Sequence, residues 1–507
     1  MTNPSGTQRH PRRRLILAVL CLCTMVLVID NGVLAVAIPS LTTDLGATAQ
    51  DIQWITASYI LVFAGLLLTA GSLSDRYGRR RIMIIGLVVF GTASGLSTFA
   101  ATPLLLIVGR ILMGIGGALV MPSTLSILIT VFDDDEERRR ATAAWSSALM
   151  LGLIGGPILG GALIAQFWWG SVFLINIPVT VIAIIAAARR MPESRAPWRR
   201  SDPLGVVLST IGMAALVWAI IELPRYGATD PAVLSALAVG LGALAGFVAW
   251  ELRTPFPMVP MSLFRDRNFA GGSLALLLVR IGSAGLLLAI PQYLQFVLDY
   301  SPTTAGLAIA PMAVAAIGGN SIGGALGAEL GNRPLTVLGI AVVAAGFGFL
   351  ATISPGDGYL TLATALVALG LGAGLAQPAA VAALMGAVPR DHAGVGSALN
   401  DTVQQAGAAL GIAVLGSVLA GAFAGAMPAT VSEQARGSVA DALAVAARTA
   451  DEGLAESART AFTHAMSLTS FAGLGVSLAG AALALLLIRD RTADPVASPS
   501  ADMEFIA

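Results

Sequence analysis

Apolar residues in this chain come in blocks as long as a bilayer is thick. They fall at about 15 to 39, 53 to 73, 82 to 101, 103 to 130, 142 to 165, 171 to 188, 204 to 223, 232 to 250, 269 to 298, 303 to 328, 334 to 353, 360 to 388, 396 to 424 and 466 to 488. About 20 consecutive apolar residues carry one helix across the hydrocarbon core. Only 11% of the 507 residues are charged, against roughly 25% in a soluble domain, so the chain cannot clothe a solvated surface. Fourteen such blocks predict an all-α integral membrane protein. The first block follows His10, Arg12, Arg13 and Arg14 in the manner of a signal peptide. It is nevertheless too long and holds an acid, so it reads as a retained helix.

All 29 basic residues are arginine. Without lysine the chain has no Walker A phosphate ligand and no Schiff-base site, so any work must be driven by an ion gradient or a partner. Cys21 and Cys23 sit two apart in the first block and His10, His392 and His464 are scattered, so neither a metal site nor a cofactor is expected. Nucleophile elbows and clustered histidines are missing as well, which argues against an enzyme, and no nucleic-acid partner is expected.

Arginine orients the spans. Alternate loops hold Arg76, Arg79, Arg80 and Arg81; Arg138, Arg139 and Arg140; Arg189, Arg190, Arg195, Arg199 and Arg200; Arg253, Arg265 and Arg267; then Arg333 and Arg390. Arg225 alone stands in the short intervening loops. The positive-inside rule makes those alternate loops and both termini cytoplasmic. A long outer loop at about 425 to 463 mixes Glu433, Arg436, Asp441, Arg448, Asp451, Glu452, Glu456 and Arg459 among alanines, and is expected to be a helical hairpin packed over the outer mouth.

Between the second and third spans the chain reads Gly71-Ser-Leu-Ser-Asp75-Arg76-Tyr-Gly78-Arg79-Arg80-Arg81. The two glycines permit a tight turn and close helix approach, and the acid can pair with arginines as a latch. This segment resembles the loop signature of the major facilitator superfamily. A weaker copy at Gly324 to Arg333 keeps Gly324, Leu326, Gly331 and Arg333, with Ala328 in the place of Asp75. The pair implies two related six-helix halves. On that reading residues 1–190 form the first bundle and 268–488 the second, 191–267 insert two further transmembrane helices with cytoplasmic linkers, and 489–507 are a cytoplasmic tail.

Fourteen spans with that insertion resemble the drug:proton antiporter branch typified by QacA and EmrB. Three more segments carry the resemblance. The first span ends Ile29-Asp30-Asn31-Gly32 through Pro39, with Gly32 and Ala35 where threonine and asparagine are more usual. The fourth has Arg110 followed by Gly114, Gly116 and Gly117, with Met113 where glutamine is common. The fifth, Gly152-Leu-Ile-Gly-Gly156-Pro157-Ile-Leu-Gly160-Gly161, matches the antiporter pattern GxxxGPxxGG. Its glycines at every fourth position make a flat face for another helix, and Pro157 introduces a bend.

The resemblance implies export of small lipophilic compounds such as drugs, dyes or antibiotics in exchange for protons, by alternating access, from a multi-pass protein of the cell membrane working as a monomer. Export of a dedicated endogenous lipid or metabolite, or a sensor or scaffold that kept the fold, are the alternatives. Charges inside a bilayer are costly enough to suggest function, and the clear cases are Asp30, Arg110 and Arg280. Asp30 lies roughly 13 Å below the outer end of its span at Pro39 and Arg110 roughly 10 Å below Pro103, so the two can meet; they are expected to couple protons. Arg280, roughly 16 Å past Phe269, should sit near the midplane with Asp30 as the nearest acid. Asp401, Glu251, Glu222 and Asp299 read as boundary residues. Candidate cavity residues are Trp54, Tyr59, Met113, Met121, Arg280, Gln292, Gln295, Asn320, Asn400 and Gln404.

Overall fold

Helix starts are written locally. Thr102, Asp202, Asp230 and Ser301 each accept a backbone amide in the first turn of the following helix, and each is followed by proline at the first helical position. Proline fits there because its missing N–H would have had no partner. The computed structural model describes residues 13–132, 134–195, 202–354, 356–388 and 393–489, which are helical without strands. Arg12, Arg199, Arg200, Arg390, His10, His392 and the tail 490–507 lie outside the described residues.

The first half comprises α1 (Arg13–Asp44), α2 (Ala49–Tyr77), α3 (Arg79–Thr98), α4 (Pro103–Val131), α5 (Asp135–Gln166), the short α6 (Ser171–Leu174) and α7 (Asn176–Arg190). The insertion is α8 (Pro203–Tyr226) and α9 (Pro231–Glu251). The second half comprises α10 (Arg267–Gln292), α11 (Pro302–Leu330), α12 (Asn332–Ala351), α13 (Tyr359–Gly386), α14 (Ala393–Ala426), the small α15 (Glu433–Gly437) and α16 (Val439–Thr449), and α17 (Glu452–Leu487). Thirteen spans are long and apolar enough to cross a membrane, and α2, bent by 53° between Leu67 and Thr69, is the fourteenth.

Two boundaries differ from the sequence reading. Pro39 does not end the first helix, which continues to Asp44, because one lost hydrogen bond bends a well-packed helix without stopping it. The last helix begins at Glu452, capped by Asp451. The irregular outer segment is therefore shorter than 425 to 463, and α16 packs against the first turns of α17.

The halves repeat one packing plan. In the first, α1 lies on α5, and α4 on both α2 and α3; in the second, α10 lies on α14, and α13 on both α11 and α12. Both arginine loops turn on a glycine that closes one helix and opens the next, Gly78 at φ 112° and Gly331 at φ 85°. L side chains rarely adopt that conformation. Successive spans alternate in direction, so these two turns, Arg190 and Arg267 share an arginine-rich face.

The halves meet toward the opposite face. Thr303 donates to the Gly161 carbonyl at 3.1 Å, Gln295 donates to the Val36 carbonyl at 3.1 Å, and Ser417 approaches Gln53 at 3.4 Å. The inserted α8 lies along the seam between α2 and α14, where Ser417 also donates to the Ile220 carbonyl at 2.7 Å. Here α16 reaches α1, and a partly open pocket lined by Thr42, Gln53, Gln292, Phe423, Ser438 and Phe462 lies beneath.

Candidate functional site

Asp30 and Arg110 are both wholly buried and directly paired. Four helices build the pair. Glycine and alanine around Asp30 let α1 approach α5, while α4 brings Arg110 against α2, where its Nε donates to the Ile55 carbonyl at 3.1 Å. The guanidinium lies over the Tyr59 ring, 4.3 Å from its centroid, and reaches Asn31 Oδ1 at 3.5 Å. The other carboxylate oxygen accepts from Asn176 Nδ2 at 2.9 Å. That amide also donates to Ser94, which donates to the Phe173 carbonyl. Both charges are thus compensated, as burial in a low dielectric requires. Asn176 Oδ1, by contrast, has no partner.

Asn176 was not singled out in the sequence. Its only signal is a lone amide inside the apolar sixth block; its position at the first turn of α7, after the break that follows α6, aims it at Asp30.

The motif of α5 divides its work between two neighbours. A Cβ on Gly156 would stand 2.9 Å from the Cα of Gly32, one on Gly160 would stand 2.8 Å from the Cα of Val33, and one on Gly152 would stand 3.1 Å from the Met25 carbonyl. This face packs on α1, and Gly32 is as necessary to the contact as Gly156. Gly161 faces the other half instead, against the backbone of Pro302, while Gly306 of α11 packs on the Pro157 carbonyl. In the second half Gly407 and Gly411 of α14, also four apart, pack on the Leu277 and Ile281 backbones of α10.

In the arginine loop Asp75 accepts from Arg79 at 2.9 Å, and Arg79 also donates to Thr130 at 2.7 Å and to the Ser126 carbonyl. Arg76 stands over the Tyr77 ring. Arg80 donates to the Met191 carbonyl at 2.9 Å. Glu193, overlooked in the sequence, accepts the Arg80 amide at 3.0 Å and covers Gly78, so it supplies the cap that Gly78 cannot. Gly71 is loosely packed: a Cβ there would meet only Pro122 within 4 Å, at 3.9 Å.

The cavity candidates scatter. Tyr59 and Met113 are buried in the packing of the first half, and Trp54 and Met121 pack against the same core. Gln292 lines the pocket beneath α16. Gln295 ties α10 to α1, and Asn320 is exposed on α11. Arg280 and Gln404 line a narrow pocket with room for about one water, together with Gln377, Leu276, Val279 and small alanines of α10 and α13. Gln377 donates to Gln404 at 3.5 Å, Gln404 to Asn400 at 3.2 Å, and Asn400 to Asp401 at 3.0 Å. The acid whose charge reaches Arg280 is Asp401, not Asp30. Asp30 is already held by Arg110 and Asn176, and α14 packs directly on α10 at Arg280.

The comparisons with known proteins agree with this architecture. The Major Facilitator Superfamily profile matches residues 20–412. The multidrug efflux pump LfrA of Mycolicibacterium smegmatis is 35% identical over 95% of this chain and 97% of its own length. The puromycin resistance protein pur8 of Streptomyces alboniger is 33% identical over 97% of this chain and 94% of its own. For the methyl viologen resistance protein SmvA of Salmonella typhimurium the figures are 32%, 92% and 97%. Among solved structures, a bacterial homolog of the human lysosomal transporter Spinster, inward-facing and unoccupied, superposes with a TM-score of 0.69 at 18% identity, covering 95% of this chain and 98% of that one. An auto-inhibited peptide transporter of the POT family gives 0.63 at 17%, covering 96% and 99%. With fourteen spans in two repeated halves around an inserted pair, and a profile match over most of its length, this chain belongs to the major facilitator superfamily and is a multi-pass membrane transporter of small molecules, not an enzyme.

Proposed function

We propose that the protein exports small lipophilic compounds from the cell in exchange for protons, with residues 1–190 and 268–488 rocking about a central pathway and the arginine-rich face in the cytoplasm. The buried Asp30–Arg110 pair is the observation that carries this reading. An isolated ion pair deep in a bilayer is costly. A carboxylate that can exchange its arginine for a proton gives each conformation its own charge state, which is what coupling demands. The relatives named for multidrug efflux and for puromycin and methyl viologen resistance support drug-like cargo. The closed face carries Gln295, Thr303 and Ser417 across the seam, so the conformation reads as inward-facing. Gly71, Asp75, Arg76, Gly78, Arg79 and Arg80 then act as the latch between conformations, and Gly152, Gly156, Pro157, Gly160 and Gly161 as the packing face that keeps the outer side proton-tight.

Dye movement tests this in proteoliposomes whose outer surface bears the arginine-rich face. Acidifying the lumen should drive rhodamine 123 inward against its gradient, and a protonophore should abolish it. Movement indifferent to the pH gradient, or in the opposite direction, contradicts the reading.

A further inference from the structure

The charges of the second half are arranged unlike those of the first. Arg280 makes no hydrogen bond among the described residues, and its Nε is buried without an acceptor. Asp401 is close enough to act on it electrostatically but is bonded to Asn400 instead. A guanidinium offers five donors in a planar fork, and a donor shut off from water without an acceptor, as this Nε is, is expensive. The wall it shares supplies amides from Gln377 and Gln404 and an apolar lining of Ala275, Leu276, Val279, Ala376 and Ala380. Counted along their helices from the arginine-rich face, Gln377, Gln404 and Arg280 stand roughly 14, 17 and 20 Å deep, so they share one level near the middle of a 30 Å hydrocarbon layer.

We propose that this cavity is a substrate subsite in which Arg280 receives an oxyanion, a phenolate or carboxylate on an otherwise apolar molecule, while Gln377 and Gln404 flank the ligand's polar edge. Asp401 is the internal charge that holds Arg280 until the ligand arrives, and it competes with the ligand for the same guanidinium. The pocket takes the oxyanion itself, and the apolar body of the ligand stays outside it. The inference rests on the export reading for its cargo, but the site is defined by binding and is testable without transport.

The test is equilibrium binding to purified protein in lipid nanodiscs, read by fluorescence anisotropy, with two dyes of one xanthene skeleton: anionic fluorescein methyl ester and cationic rhodamine 123. Arg280→Gln should weaken the anionic dye about tenfold or more, the worth of a charge-assisted hydrogen bond, while rhodamine 123, relieved of a like charge, should bind no more weakly than to the unmodified protein and so reports an intact fold. Asp401→Asn should act in the opposite sense and tighten the anionic dye, because the competitor for Arg280 is gone. Arg280→Lys keeps the charge but loses the fork, and should recover only part of the affinity. Anionic binding unchanged in Arg280→Gln overturns the proposal. So does equal weakening by Arg280→Gln and Asp401→Asn, which would mark a structural ion pair. A wild type that binds rhodamine 123 alone overturns the proposal too, and leaves the export reading standing. Absence of pH-driven rhodamine transport by a wild type that binds both dyes contradicts export and leaves Arg280 assigned.

Discussion

The two halves each keep one arginine and one acid within their spans, yet they use them differently. In the first, Arg110 is saturated by Asp30, Ile55, Asn31 and the Tyr59 ring, and Asp30 is shared with Asn176. In the second, Arg280 faces a cavity and Asp401 stays with Asn400. Helix packing is nearly the same around both pairs, with glycines four apart on α5 and α14 bringing α1 and α10 close. A repeat can therefore preserve a scaffold while its two charge sites diverge, one closed on itself and one open to a ligand.

The largest effect should come from breaking the closed pair from one side. Arg110→Met leaves Asp30 buried without its cation and should cost about 3–5 kcal/mol of stability, whereas adding Asp30→Asn to Arg110→Met should recover part of it. Thermal unfolding of the single and double variants in detergent checks both, and an unfolding temperature unchanged in Arg110→Met would erase the distinction between the halves.

Next in size is the seam that holds α1 against α5. Gly156→Leu forces a branched side chain into the Gly32 backbone, and overpacking of this kind costs about 1–3 kcal/mol. We expect folded protein in membranes with efflux abolished or a proton leak opened. Gly155→Leu, one residue away, meets nothing within 4 Å and should transport normally; loss of function in both would show that the face of the helix does not matter.

Comparable in size is Asn176→Ala, which deletes one donor to Asp30 and should cost about 1–3 kcal/mol while reducing pH-driven transport more than substrate exchange. Equal loss of both would reduce Asn176 to a packing role. Least of all, Arg280→Gln should change stability by less than about 1 kcal/mol, since an open arginine in contact with a cavity is not holding the fold. A destabilisation as large as that of Arg110→Met would make the two pairs equivalent.

Much of this comparison was legible in the sequence, for identifiable reasons. Span number follows from apolar length, and the antiporter-like motif of α5 from glycine spacing, because both depend on local composition. Asp30 and Arg110 could be matched because their depths are counted from nearby helix ends. Depth alone failed for Arg280: it gives a level in the membrane but not an azimuth, and the partner was fixed by Gly407 and Gly411 bringing α14, with Asp401, onto α10. Asn176 and Glu193 were hidden for a related reason. Each acts on a helix distant in sequence, and an isolated amide or loop acid carries no spacing pattern. Tyr59 and Met113 show the converse error, since residue types suited to a binding surface serve equally well as core.

Coupling through Asp30 is the central claim, and one measurement addresses it most directly: Asp30→Asn in proteoliposomes, comparing uphill dye movement under an imposed pH gradient with dye exchange at equal pH. Asparagine imitates the protonated acid, so the account predicts that exchange persists while uphill movement is lost, and that Asp30→Glu, still titratable, keeps part of it. Uphill movement by Asp30→Asn with the pH dependence of the unmodified protein would place the coupling group elsewhere and contradict the account.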